Sequence, residues 1–160
     1  MQTRPWDRET DYDTLVKWWN QHEFGVVPME VLPPHGIIVE EAGVPLCAGG
    51  LYIGLGTEFA FMEWVVADKN ANKRQLHRAL RMCVDALFEL AKDEGMQLVF
   101  TTTSESALQK RYIKYHGMNL TENHVKTFLK DLTKDERYAS KSLDWISDDT
   151  QISIQQRDNK

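Results

Sequence analysis

Lys69, Lys73, Arg74, Arg78 and Arg81 fall within thirteen residues, and no acidic residue stands between Asp68 and Asp85. On a helix, Arg74, His77, Arg78 and Arg81 share one face, opposite Leu76, Leu80, Cys83 and Leu87. A helix N-terminus already carries unpaired N–H groups and the positive end of the dipole, so cations crowded there sit where they are least favourable. An anion resolves that conflict, and phosphate is the natural candidate. The plain alternative is a solvated polar face. Other chemistry has less support. His22, His35, His77, His116 and His124 show neither HxH nor HExxH spacing, so no metal site is expected. Cys47 and Cys83 are 36 residues apart with no CxxC, which excludes a disulfide framework and a zinc ribbon and suits a reducing compartment. Ser104 lacks a GxSxG setting and reads as a helix cap.

The helix that carries the basic stripe is the clearest element. Leu76, Ala79, Leu80, Cys83, Val84, Leu87, Phe88 and Ala91 repeat at helical spacing, and Gly95 stands where a C′ glycine belongs. Before it, residues 1–5 read as a short strand. Thr10 is the expected N-cap of a first helix whose face is Tyr12, Leu15, Val16 and Trp19. Trp18 lies beside that face. Pro28, Pro33, Pro34 and Gly36 make a loop that can hold a turn of helix. Gly36–Glu41, Val44–Leu55 and Glu58–Val66 follow as an antiparallel meander. Beyond Gly95 come a strand at Gln97–Thr103, a helix carrying Ala107, Leu108 and Tyr112 that stops at Gly117, and a last strand at His124–Leu132. The order predicts an α+β layered fold, a mixed sheet with helices on its faces.

The chain of 160 residues is 42% hydrophobic and 27% charged, the balance of a single globular domain. Its net charge of −5 argues against nucleic acid as a partner. No window approaches the ~20 apolar residues of a membrane span, and Met1–Pro5 opens no secretory signal. A soluble, cytoplasmic protein is expected. Residues 133–160 are polar and lack helical periodicity. They read as a tail, a docking segment anchored by Trp145, or an added edge strand at residues 150–155.

At this point the pattern resembles a family. Three strands, an anion-binding turn, a long helix, a strand, a helix ending in glycine and a strand is the order of the GNAT N-acetyltransferases. Glu63-Trp64-Val65-Val66-Ala67-Asp68 followed by Asn70-Ala71-Asn72-Lys73-Arg74-Gln75 resembles that family's fourth strand and acetyl-CoA pyrophosphate loop. Ala107–Met118, closing in His116-Gly117-Met118, is similar to its C-terminal helix. The resemblance covers residues 1–132. Taken with Pro33-Pro34-His35-Gly36-Ile37-Ile38-Val39-Glu40, the pattern looks most like small GNAT-like proteins of tailed bacteriophages, which would act in the host cytoplasm.

The resemblance implies a mixed central sheet of about six to seven strands, with acetyl-CoA as co-substrate and no metal. It implies transfer of acetyl to a primary amine, on a small molecule or a protein, by direct attack. Trp64, Val65 and Val66 would supply backbone contacts to the pantetheine arm, and Asn72, Lys73, Arg74 and Gln75 would surround the pyrophosphate. Glu63 is the expected base and Tyr112 the expected acid; Glu40 and Glu58 are weaker bases, and Trp18 would border the substrate groove. Two departures stand out. The family loop carries glycines that let the backbone reach the phosphates, and residues 69–81 hold none. Counting back from Gly117, the usual tyrosine position is Ile113. The second reading is therefore a GNAT-shaped binding protein that has lost catalysis and acts on a host or virion partner. A monomer or homodimer is expected.

Overall fold

The sheet is built outward from the three β-branched segments that follow the proline-rich loop. The computed structural model describes residues 1–121. Within them β1 (Gln2–Pro5), β2 (His35–Glu41), β3 (Val44–Ile53), β4 (Phe59–Ala67) and β5 (Leu98–Phe100) stand side by side in chain order. β1 to β4 run antiparallel, and β5 joins β4 in parallel. The mixed α+β architecture is the expected one, with five strands among the described residues. The strand expected at His124–Leu132, the boundary at residue 132 and the polar tail lie outside the described residues.

Each face of the sheet is covered by its own helix. On one side α2 (Lys73–Asp93) buries Ala79, Cys83, Val84, Leu87 and Ala91 against Val39, Cys47, Leu51, Ala60 and Met62. Fully burying one such leucine or methionine stabilises by about 1.5–3 kcal/mol, so this helical stripe anchors the domain. The helix stops at Glu94, and Gly95 takes the left-handed φ of 79° that the turn needs. On the other side α1 (Arg8–Gln21) packs Leu15, Trp18 and Trp19 against Trp6, Ile38, Ala48 and Val66. Gly36 and Gly50 lie beneath Trp6. A Cβ would come within 2.1 Å and 2.5 Å of its ring, so only glycine lets the indole approach the sheet. α3 (Ser106–His116) ends at Gly117, whose φ is 65°.

Several expectations shift. Helix α1 starts earlier than Thr10, because the Asp7 carboxylate accepts the amides of Glu9 at 2.9 Å and Thr10 at 3.0 Å. Trp18 borders no groove: it is 1% exposed, inside the α1 core. Ser104 does not cap α3. Glu105 holds that position, without a side-chain bond to the helix amides. The turn of helix expected in the proline-rich loop is the 3-10 turn Met29–Val31. The strand expected over Gln97–Thr103 is only Leu98–Phe100, because its partner changes course just beyond Phe61.

Candidate active site

The change of course is a bulge in β4. Ala48 pairs with Val66 and Gly50 with Glu63, so Trp64 and Val65 together face a single residue, Gly49. Trp64 adopts a φ of 60°, a left-handed conformation that costs a bulky side chain on the order of 1–3 kcal/mol and persists only where the surroundings over-determine it. The surroundings here are specific. The Trp64 indole N–H donates to the Tyr52 hydroxyl at 2.8 Å, and that hydroxyl donates to the Val31 carbonyl. The extra residue also breaks the alternation of faces. Met62 points at α2, while Glu63 and Trp64 both lie on the α1 side; Val65 packs beside Cys83 and Leu87 around Gly49, and Val66 returns to the α1 core.

β4 and β5 part at this bulge. Their last pair is Phe61 with Phe100. Beyond it, Glu63 spans the opening: its carboxylate accepts the Thr102 hydroxyl at 3.0 Å. Burial raises the Glu63 carboxyl above the ordinary range, and the Thr102 hydrogen bond, with the nearby backbone of Trp64 and Thr102, only partly offsets that. Such a carboxylate is a better proton acceptor near neutrality than an exposed one. Tyr112 lies on the opposite face, in the α2 core at 6% exposed. Burial raises its phenol well above the usual range, against a hydrogen bond with Thr101 that lowers it. Thr102 thus reaches Glu63, while Thr101, one residue before it, stands near the Tyr112 hydroxyl. Ile113, at the family's usual tyrosine position, is 53% exposed.

The loop from β4 into α2 uses its own side chains to cap its amides. Asn72 is the N-cap, accepting Arg74 N–H at 2.9 Å and Gln75 N–H at 3.4 Å. Asp68 Oδ1 accepts Asn70 N–H at 3.0 Å, and Gln21 Oε1 accepts Lys69 N–H at 2.9 Å. Lys73 and Arg74 are exposed, whereas the Gln75 amide donates to Glu41 on β2 at 2.7 Å. The cationic face continues between α2 and α3. Arg111 donates to His77 Nδ1 at 2.9 Å, and Arg81 and Lys114 stand 5.9 Å and 5.2 Å from the Tyr115 ring centre. On α2 itself, beside Met1, an open cavity of about 450 Å³ is lined by Met1, Arg78, Arg81, Met82 and Asp85.

The structure therefore gathers Glu63, Trp64, Val65 and Val66 on one strand end, and Asn72 to Gln75 on the helix turn that follows. It sets Tyr112 across the sheet from Glu63. Sequence reasoning missed Thr101, Thr102 and Arg111. A run of threonines closing a strand was the available signal for the first two, and nothing in the sequence marked Arg111. Cys47 and Cys83 lie buried together in the core, and the hydrogen bond to Cys83, then burial, raise the Cys47 thiol. Among the described residues no cluster of His, Cys, Asp and Glu could hold a metal ion, and no helix is long and apolar enough to cross a membrane.

The arrangement of helices around a sheet that opens beside β4 is also found in solved acetyltransferases. It is shared with Rv2747 from Mycobacterium tuberculosis, solved in complex with CoA, at a TM-score of 0.60 and 20% identity over 79% of this chain and 76% of that one. Glucosamine-6-phosphate N-acetyltransferase from Arabidopsis thaliana aligns with a TM-score of 0.57 and 16% identity over 81% of this chain and 98% of that one. An aminoglycoside acetyltransferase from an uncultured soil metagenomic sample, solved with sisomicin, gives 0.58 and 11% over 81% and 96%. No family model matches the sequence, and no curated protein matches it.

Proposed function

We propose that this protein is an acetyl-CoA-dependent N-acetyltransferase acting on a primary amine in the cytoplasm, within a unit of residues 1–132. The observation that carries the reading is the bulge. Neither Trp64 nor Val65 has a strand partner in β3, and the distortion sits where β4 and β5 separate. A pantetheine arm entering that opening would meet backbone groups on β4. The N–H groups of Trp64 and Val65, the two residues of the bulge, are the candidate donors for the developing oxyanion. The amine gives a proton to the Glu63 carboxylate, directly or through one water, and its nitrogen attacks the thioester carbonyl carbon. The C–S bond breaks as the C–N bond is completed. The departing thiolate takes a proton, with Tyr112 the candidate donor from the opposite face. The products are an N-acetylated amine and CoA. The fold shared with solved acetyltransferases supports the same chemistry.

Lys73 and Arg74 at the start of α2, with Arg78, Arg81 and Arg111 further along, would hold the phosphates. Calorimetry with acetyl-CoA tests this. Binding in the micromolar to millimolar range is expected, weakened at least tenfold in Arg74→Glu, with thiol release on adding an amine. No binding at millimolar acetyl-CoA would overturn the proposal. One observation favours the second reading, a GNAT-shaped binding protein: the amides of Lys69, Asn70, Arg74 and Gln75 are already engaged by side chains of this chain. That reading expects no thiol release with any amine.

A further inference from the structure

The face of β4 and β5 beyond Glu63 has a composition that neither core packing nor phosphate binding accounts for. The parallel register sets Phe59 beside Leu98 and Phe61 beside Phe100. These four side chains lie on the face away from α2, since Ala60, Met62 and Val99 alternate with them and pack in the α2 core. The rings form a continuous strip: Phe100 is 5.6 Å from Phe61 and 6.0 Å from Phe59, and Phe61 is 6.4 Å from Tyr52. Among the described residues the α1 core reaches only as far as Trp64 and Val66 and leaves the strip uncovered. Phe59 is 39% exposed, Phe100 38% and Leu98 66%. Contiguous aromatic surface of this kind marks a place where something binds.

What binds is decided by the strip's inner end. Glu63 follows Phe59 and Phe61 at two-residue steps on the same face, and among the described residues no lysine or arginine pairs with it. A half-buried carboxylate without a cation, at the head of a row of rings, complements an ammonium group attached to an apolar body. The carboxylate takes the charge, and the ring faces favour a cation near them. At strand rise, Phe61 and Phe59 stand about 7 Å and 13 Å from Glu63, the span of one or two fused or linked rings. A phosphorylated acceptor would meet the negative charge. A polyhydroxylated one would lose hydration against rings, with only Thr102 and Glu63 to replace it. Resting on the reading of this opening as an acetyl-transfer site, we propose that the acceptor is a primary amine carried on an aromatic or similarly flat apolar body, bound with its ammonium at Glu63 and its body along Phe61, Phe100 and Phe59.

Binding of phenethylamine, n-butylamine and glucosamine to the full chain, measured by calorimetry without acetyl-CoA, tests the assignment. Phenethylamine is expected to bind at least tenfold more tightly than the other two. Phe100→Ser and Leu98→Ser, both surface changes, should each weaken it several-fold with the thermal midpoint and CoA affinity held. Glu63→Gln should remove most of the binding. Equal affinity for all three amines, or phenethylamine binding indifferent to Phe100→Ser, overturns the proposal. So does a concentration-dependent dimer that Phe100→Ser dissociates, because a second copy would then be the occupant. Failure of the transferase reading is separable: a chain that binds phenethylamine through Phe100 but binds no CoA keeps the amine site and loses the acetyl transfer.

Discussion

Glu63 is held by opposing influences, and its neighbour Thr102 offers a way to read them. Burial raises the carboxyl, whereas the Thr102 hydroxyl at 3.0 Å favours the charged form and lowers it. Thr102→Val keeps the shape and deletes the donor, so the carboxyl rises further. If Glu63 is the base, the acidic limb of kcat/KM moves to higher pH in Thr102→Val, while activity on the alkaline side is retained. Glu63→Gln should lose about 100-fold or more in kcat/KM together with that limb. The stability effect has a definite sign. A carboxyl raised on folding binds protons more readily folded than unfolded, so its contribution falls as pH rises through the carboxylate range, and Glu63→Gln should regain stability near neutrality. A pH profile unchanged by Thr102→Val would take Glu63 out of the proton path. The sequence made Glu63 visible as an acid on an apolar strand. It could not show Thr102, because strand residues after Phe100 leave the ladder only when β4 bulges. Tyr112 was legible as an aromatic near a C-terminal glycine, but its face was not: the count from Gly117 pointed to Ile113, which is 53% exposed, whereas Tyr112, one residue earlier, is the one turned inward.

Between elements, the tie that keeps β1, β2 and α1 in register is an ionic cluster. Arg4 on β1 donates to both oxygens of Asp11 at 2.8 Å and 2.7 Å, and to Glu40 on β2 at 3.1 Å. Asp11 also accepts the Asp7 amide at 2.8 Å and is the buried acid of α1. Desolvation alone would raise its carboxyl, but Arg4 and that amide outweigh it and leave it below the ordinary range. Its stabilisation is therefore present above the unfolded pKa and lost as pH falls through the folded one. Asp11→Asn removes the charge and is expected to cost about 2 kcal/mol at neutral pH, a value for a charged hydrogen bond discounted for the partial exposure of Arg4. In urea titrations the gap to the unsubstituted protein should narrow in acid. A gap that stays constant would mean shape, not charge, is what Asp11 supplies. The helices and the meander were legible because spacing alone carries them. The bulge was not, since no glycine or asparagine stands at position 64 to signal a positive φ; the conformation is imposed by Tyr52, Val31 and the α1 core.

Across the whole molecule, charge is the largest asymmetry. The chain carries −5, yet Lys69, Lys73, Arg74, Arg78 and Arg81 sit along one stretch with no acid between Asp68 and Asp85. Arg111 and Lys114 of α3 add to that side through His77 and Tyr115. A CoA molecule, with its diphosphate and 3′-phosphate, would be drawn to this edge and repelled elsewhere. In loops with glycine the backbone amides share that work, whereas here Asn72 occupies the amides of Arg74 and Gln75. Affinity should then rest on side-chain charge and be strongly screened, since the Debye length falls from about 10 Å at 0.1 M salt to about 3 Å at 1 M. CoA affinity measured by calorimetry should drop at least tenfold over that range. Asn72→Gly separates the two contributions. It vacates the amides at a cost of only a few tenths of a kcal/mol in helix capping, and each amide freed for a phosphate adds about 1.5 kcal/mol as a charged hydrogen bond. The variant should bind CoA roughly tenfold more tightly for each amide the phosphate takes, and with a shallower salt dependence. With CoA at about 100 times the dissociation constant, folding should gain about 2.7 kcal/mol in either protein. If Asn72→Gly binds no better, or salt leaves the affinity of the unsubstituted chain unmoved, the start of α2 is not where the diphosphate rests, and the cationic edge answers to a different anion.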